Sequence, residues 1–145
     1  MHPKKFLDAL DDNRIVAAIS RAEQATSGEI RVAVSHRRRP DALAAARRRF
    51  WQLGMERTPR RNAVLIYFVP RDHAFAIWGD TGIHAQCGLE FWQEVAAKIS
   101  PHLAAGKYTE AVSEAVAEVG GLLARHFSRG PDDQGGLPNA VVRSD

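Results

Sequence analysis

Apolar residues recur along this chain with two periods, and the switches between them lay out its elements. In residues 12–26, Ile15, Val16, Ile19, Ala22 and Ala25 follow the three-to-four spacing of a helical stripe. Asp11 or Asp12 can cap its start, and "TSG" stops it. Residues 29–35 then alternate, with Ile30, Val32 and Val34 on one face and Arg31 on the other, which predicts a half-buried strand. Pro40 and Asp41 open a second helix that runs to Leu53, with Leu43, Ala46, Phe50 and Leu53 inward and Gly54 ending it. "RNAVLIYFV" (61–69) is apolar on both faces, so it predicts a central strand covered from both sides. "PRDH" (70–73) predicts a hairpin turn, with residues 74–78 returning antiparallel.

Two further helices complete the pattern. One, over 83–100, turns Cys87, Phe91, Val95 and Ile99 inward. The other, over 107–127, carries a nearly unbroken stripe that includes Tyr108, Val112, Val116, Val119, Leu123 and Phe127. The order is α-β-α-β-β-α-α. A β-α-β unit demands a parallel pair with a right-handed crossover, and the hairpin adds an antiparallel strand. The fold class predicted is α/β, a small mixed β-sheet sandwiched between helices. Residues 12–127 form the domain, and 1–11 are a short N-terminal extension. Residues 128–145, with "SRGPDDQGGLPN", predict a disordered tail.

A chain of 145 residues with 45% hydrophobic and 26% charged residues is an ordinary single globular domain. The longest strictly apolar run, Ala63–Val69, is far below the roughly 20 residues that span a bilayer. The start lacks the apolar stretch of a signal peptide, so a cytoplasmic location is expected, with no membrane insertion. A single cysteine, Cys87, excludes an intrachain disulfide and a multi-cysteine zinc site, and its position predicts a small buried apolar group.

Charge is unevenly spread: ten arginines face two acids between residues 31 and 61, whereas six acids face two lysines between 80 and 118. The basic segment Arg31 to Arg61 could bind a polyanion. However, Arg47, Arg48 and Arg49 are consecutive on a helix and span about 200° of it, and no nucleic-acid-binding motif accompanies them. A protein partner is the better expectation than nucleic acid. Trp51, Trp78 and Trp92 are expected as core or interface anchors, and the pattern sets no oligomeric state.

Four segments, "TSGEIRVAV", "RNAVLIYFV", "FAIWGDTGI" and "GKYTEAVSEAV", occur in the order and spacing of the TPM domain. Over about residues 12–127 the chain resembles that family, named for a thylakoid-lumen phosphatase, a photosystem II repair protein and an acetylcholine-receptor modulator. The resemblance implies helices around a mixed sheet. It also implies three kinds of role found in the family: acid phosphatase, calcium binding, and accessory protein of membrane complexes. Many members have a glycine–aromatic–glycine turn and then an acid after the third strand. Here that segment reads Gly79-Asp80-Thr81-Gly82-Ile83, and the next acid is Glu90.

Strand direction brings further residues together. Glu29 and Asn62 begin two parallel strands, and the antiparallel third strand returns to the same end at Asp80 and Thr81, with Arg60 and Arg61 close by. Two carboxylates with amide and hydroxyl oxygens suit calcium or magnesium. Such an ion, with the arginines, could hold a phosphoryl group for a metal-dependent hydrolase in which Asp80 is the candidate catalytic residue. The plainer expectation is that Asp80 or Thr81 caps the next helix, and that Glu29 pairs with Arg31 or Arg61. At the opposite end His36, Asp41, Asp72 and His73 could hold zinc or perform acid–base work, although loop histidines are commonly solvated. The leading expectation is an accessory or binding domain, with a divalent cation at Glu29, Asn62 and Asp80. The alternatives are a metal-dependent phosphatase at that end and a polyanion-binding module.

Overall fold

The computed structural model describes residues 2–85, 89–129 and 141–143. Three strands, β1 (Glu29–Val34), β2 (Ala63–Val69) and β3 (Ala74–Gly79), form one sheet in the order β1-β2-β3. β1 and β2 are parallel, with Glu29 opposite Ala63, and β2 and β3 are antiparallel, with Val64 opposite Gly79. The predicted mixed sheet is therefore present. Residues 70–73 turn through a short 3-10 segment, Pro70–Asp72, closed by His73 in the left-handed region at φ 51°.

Six helices cover the sheet: α1 (Pro3–Ala9), α2 (Asp12–Glu23), α3 (Ala42–Gln52), α4 (Thr81–His84), α5 (Leu89–Ala104) and α6 (Tyr108–His126). Every residue of β2 is buried, as its unbroken apolar run requires. Ile30, Val32, Val34, Val64, Ile66 and Phe68 pack in one core with residues of α2, α5 and α6. Ala33, Leu65 and Tyr67 pack on the other face with Ala45, Ala46 and Phe50 of α3. The result is helices, sheet, helix in three layers.

The structure departs from the sequence pattern at five places. β1, expected half-buried with Arg31 outward, is buried at all six residues because helices close both faces of the sheet. Residues 1–11 are more than an extension, because α1 inserts Phe6, fully buried, against Phe68 and Tyr108 at ring distances of 5.4 and 5.0 Å. Leu10 is also buried and Leu7 packs against the same core, so three apolar residues hold a segment too short to show a stripe. The helix expected over 83–100 is two helices, and α5 runs through Pro101 to Ala104. Proline lacks only its own N–H, and Leu103 beyond it is still buried. Leu43, expected inward, is 53% exposed, since α3 presents Ala45, Ala46 and Phe50 to the sheet instead. Within the expected tail, Val142 accepts from the Val34 N–H at 2.8 Å and donates to the Val32 carbonyl at 2.9 Å. Arg143 donates to the Leu7 carbonyl at 3.0 Å and pairs with Asp12. Residues 130–140 and 144–145, and Cys87, lie outside the described residues.

Gly120 marks where α2 and α6 come closest, because a Cβ there would lie 2.6 Å from the Ala22 Cβ. Its neighbour Gly121 faces open space. Gly120→Ala should therefore destabilise the fold by about 1–3 kcal/mol through overpacking. Gly121→Ala should stabilise it by roughly 0.5–1 kcal/mol through helix propensity. Urea unfolding of the two variants checks this, and equal effects would contradict the close crossing.

Candidate functional site

The start of β1, the start of β2 and the end of β3 meet at one end of the sheet, as strand direction requires. The Glu29 N–H donates to the Asn62 carbonyl at 3.4 Å, and the Asp80 N–H to the Ala63 carbonyl at 3.0 Å. The backbones of the predicted residues are thus brought together, but their side chains take three separate directions.

Asp80 turns to Arg61. The guanidinium donates through Nε to Oδ2 at 2.7 Å and through Nη2 to Oδ1 at 2.8 Å, a two-pronged pair. Asp80 also caps α4, since its Oδ1 accepts from the Thr81 N–H at 2.7 Å. Both carboxylate oxygens are committed, and the residue is only 3% exposed. The Asp80 bond raises the pKa of Arg61, whose guanidinium also lies 5.9 Å from the Trp51 ring centroid. Gly82 completes the clasp: its N–H reaches the Arg61 carbonyl at 2.9 Å. A Cβ at Gly82 would stand 2.6 Å from the carbonyl oxygens of Arg60 and Arg61, so only glycine permits this approach.

Asn62 and Arg60 both turn to Ser27, with Nδ2 donating at 3.2 Å and Nη1 at 2.9 Å to its hydroxyl. Thr81 is exposed and contributes its N–H to the cap. Glu29 lies beside Glu23 at the end of α2. Glu23, 9% exposed, accepts from the Ile30 N–H at 2.9 Å. Burial, with Glu29 beside it, pushes the Glu23 carboxyl up to about 8, against the opposing pull of the Ile30 N–H and of the Arg129 guanidinium, which donates to the Glu23 carbonyl. Glu23 falls four residues after Ile19 and eight after Ile15, on the buried stripe of α2. An acid on an apolar stripe was the sequence feature that could have revealed it.

At the opposite end the two predicted carboxylates are engaged by other groups. Asp41 caps α3 through the Ala44 N–H at 3.1 Å. Asp72 accepts from Arg38 at 2.7 and 3.0 Å and from the Arg39 N–H, and the Arg38 bond lowers its pKa. His36 and His73 are exposed. Among the described residues, no group of three or more His, Cys, Asp or Glu is placed to hold a metal ion. No described helix is long and apolar enough to cross a membrane.

The fold and this end define a class: a three-layer α/β domain with a small mixed sheet, closed at its polar end by an arginine–carboxylate clasp. The chain belongs to the TPM domain family, whose model matches residues 1–122. It is similar to the BA42 protein of the psychrophilic bacterium Bizionia argentinensis, known from an NMR structure. The TM-score is 0.85 at 32% identity, covering 94% of this chain and 96% of that one. None of the curated proteins compared with the chain matches it.

The raised Glu23 carboxyl makes stability depend on pH. In the unfolded chain it ionises near 4.5, whereas the folded chain holds the proton up to about 8. The folded state therefore binds more protons between these values, and its stability from this group falls as pH rises through that window. A tenfold change in proton affinity is worth about 1.4 kcal/mol, so wild type should lose several degrees of Tm relative to Glu23→Gln from pH 5 to 8. Thermal melts of the two proteins check this, and parallel curves would contradict the raised Glu23 carboxyl.

Proposed function

We propose that this chain is a non-catalytic accessory domain that binds a protein partner through the apolar surface of α3 and β3. The observation that carries this reading is the exposure of large apolar side chains there. Leu43 is 53% and Trp51 50% exposed, and with Trp78 they line one continuous surface depression. Exposed apolar groups gathered in one patch are what a partner-binding surface needs.

The clasp supports the same reading. A hydrolase at this end would need a carboxylate to receive a proton or hold a metal. Asp80 is engaged by Arg61 and by the cap of α4. Calcium or magnesium would have to displace the Arg61 guanidinium to reach it. The basic segment Arg31 to Arg61 is likewise partly spent internally, in Arg38 with Asp72 and Arg61 with Asp80.

Two variants separate the readings. Affinity capture with the folded chain should recover one defined polypeptide, with yield falling more than tenfold for the double variant Leu43→Asp, Trp51→Asp. Asp80→Asn keeps a good capping residue, so it should leave capture intact and lower Tm only by removing the charge that pairs with Arg61. Metal-stimulated phosphomonoester hydrolysis that Asp80→Asn abolishes would overturn the accessory reading. Calcium- or magnesium-dependent shifts of the amide resonances of Glu29, Asn62 and 79–83 would overturn the view of that end as a structural clasp.

A further inference from the structure

The two edges of the sheet are treated differently. On the outer edge of β1 the Ile30 N–H is taken by the Glu23 carboxyl, and Val32 and Val34 bond to Val142. β3 forms the other edge. The bond from the Asp80 N–H to the Ala63 carbonyl sets the phase of the β2–β3 ladder. Pairs then bond at Trp78 with Leu65, Ala76 with Tyr67 and Ala74 with Val69. Phe75 and Ile77 accordingly turn their N–H and carbonyl groups outward, and no backbone partner meets them among the described residues.

A groove of about 510 Å³ runs along this edge. Leu43 of α3 stands on one side, Trp92, Gln93 and Ala96 of α5 on the other, and Ala76 and Trp78 of β3 form part of the floor. Leu43 and Trp78 also line a second depression on α3, of about 690 Å³, together with Arg47, Arg48 and Trp51. Arg47 lies over the Trp78 ring at 5.5 Å from its centroid. The surface thus offers a row of backbone groups, apolar walls on both sides, and arginines at the α3 rim.

Resting on the accessory reading above, we infer that the occupant is an extended segment of a partner protein that adds to β3 as a fourth strand. A strand between two apolar walls needs apolar side chains on both of its faces. The arginine rim selects an acidic residue flanking that run. Backbone pairing supplies affinity and the walls supply choice of side chain. Charge also argues against a second copy of this chain. Antiparallel β3-to-β3 pairing about a two-fold axis would put both α3 helices on one face, bringing Arg47 and Arg48 toward their like.

The test starts with the full chain and a displayed library of random peptides about ten residues long. Enrichment of four or five consecutive apolar residues with an adjoining Asp or Glu is expected. The enriched peptide, synthesised, should slow hydrogen exchange at the Phe75 and Ile77 amides at least tenfold. N-methylation of its alternate backbone nitrogens should weaken binding at least tenfold. Arg47→Glu should weaken it about fivefold, an effect that added salt abolishes. Binding that ignores N-methylation and leaves the Phe75 and Ile77 amides unprotected would overturn strand addition while leaving a protein-binding surface on α3. Failure of every peptide, with capture also unaffected by the Leu43 and Trp51 variants, would overturn both readings. Protection of those amides that grows with protein concentration alone would make the occupant a second copy, and would overturn the proposal.

Discussion

The constraint on which the rest depends is the complete burial of β2. Seven consecutive residues, Ala63–Val69, are buried on both faces, and all seven are apolar or aromatic. A strand of that kind cannot lie at a surface, so helices must close both sides and other strands must flank it. α3 meets the need on one face with small residues, Ala45 and Ala46, and a single large one, Phe50. α2, α5 and α6 meet it on the other, where Gly120 lets α2 and α6 pack with their backbones close. Burial also forces the ends of β2 to be tied down. Its N-terminal end is therefore where the polar side chains of the domain gather.

That end shows how nearby acids become structure rather than chemistry. Arg61 adopts a left-handed backbone at φ 51°, unusual for a residue with a side chain. Gly82 makes a close approach to the same loop. The Arg61–Asp80 pair spans the two segments, and the Asp80 cap fixes the entry to α4. Glu23 ties the end of α2 to the start of β1 by accepting from the Ile30 N–H, and burial beside Glu29 holds its carboxyl well above the usual carboxylate range. Each acid has a partner that belongs to the fold.

Strand polarity made the meeting of Glu29, Asn62 and Asp80 legible, because it depends only on the direction of three segments. Where their side chains point was not legible. Asp80 choosing Arg61 depends on the backbone of the 60–62 loop, and Glu29 choosing Glu23 depends on how α2 sits on the sheet. Neither can be read from spacing. Glu23 itself was legible in principle, as an acid on the Ile15–Ile19 stripe, and so was the Asp80 cap. α1 and Val142 were hidden for another reason. Phe6 and Val142 sit in short apolar clusters, Phe6 with Leu7 and Leu10 and Val142 with Val141, too short to show a period, and their burial comes from what the domain leaves uncovered. Leu43 failed in the opposite sense. It fits a stripe on α3, but the sheet needs only a narrow band of that helix, and alanines already fill it.

Leu43 is exposed because β3 is the last strand. A fourth strand beside it would lie under Leu43 and against Trp92, and the walls of the groove would then become the flanks of a wider core. The other edge shows what the same fold does when an edge is to be closed. There a carboxyl and a returning segment take the outward backbone groups of β1 one by one. Edge strands are commonly blunted by charge, proline or a bulge, and β3 between Ala74 and Gly79 contains none of these. Its residues are apolar throughout, with two aromatics, Phe75 and Trp78. An unblunted apolar edge is a hazard for a protein that must stay apart from others, and an asset for one that must join another. Among the described residues the blunting is confined to β1, and this asymmetry between the edges supports β3 as the edge a partner strand would join.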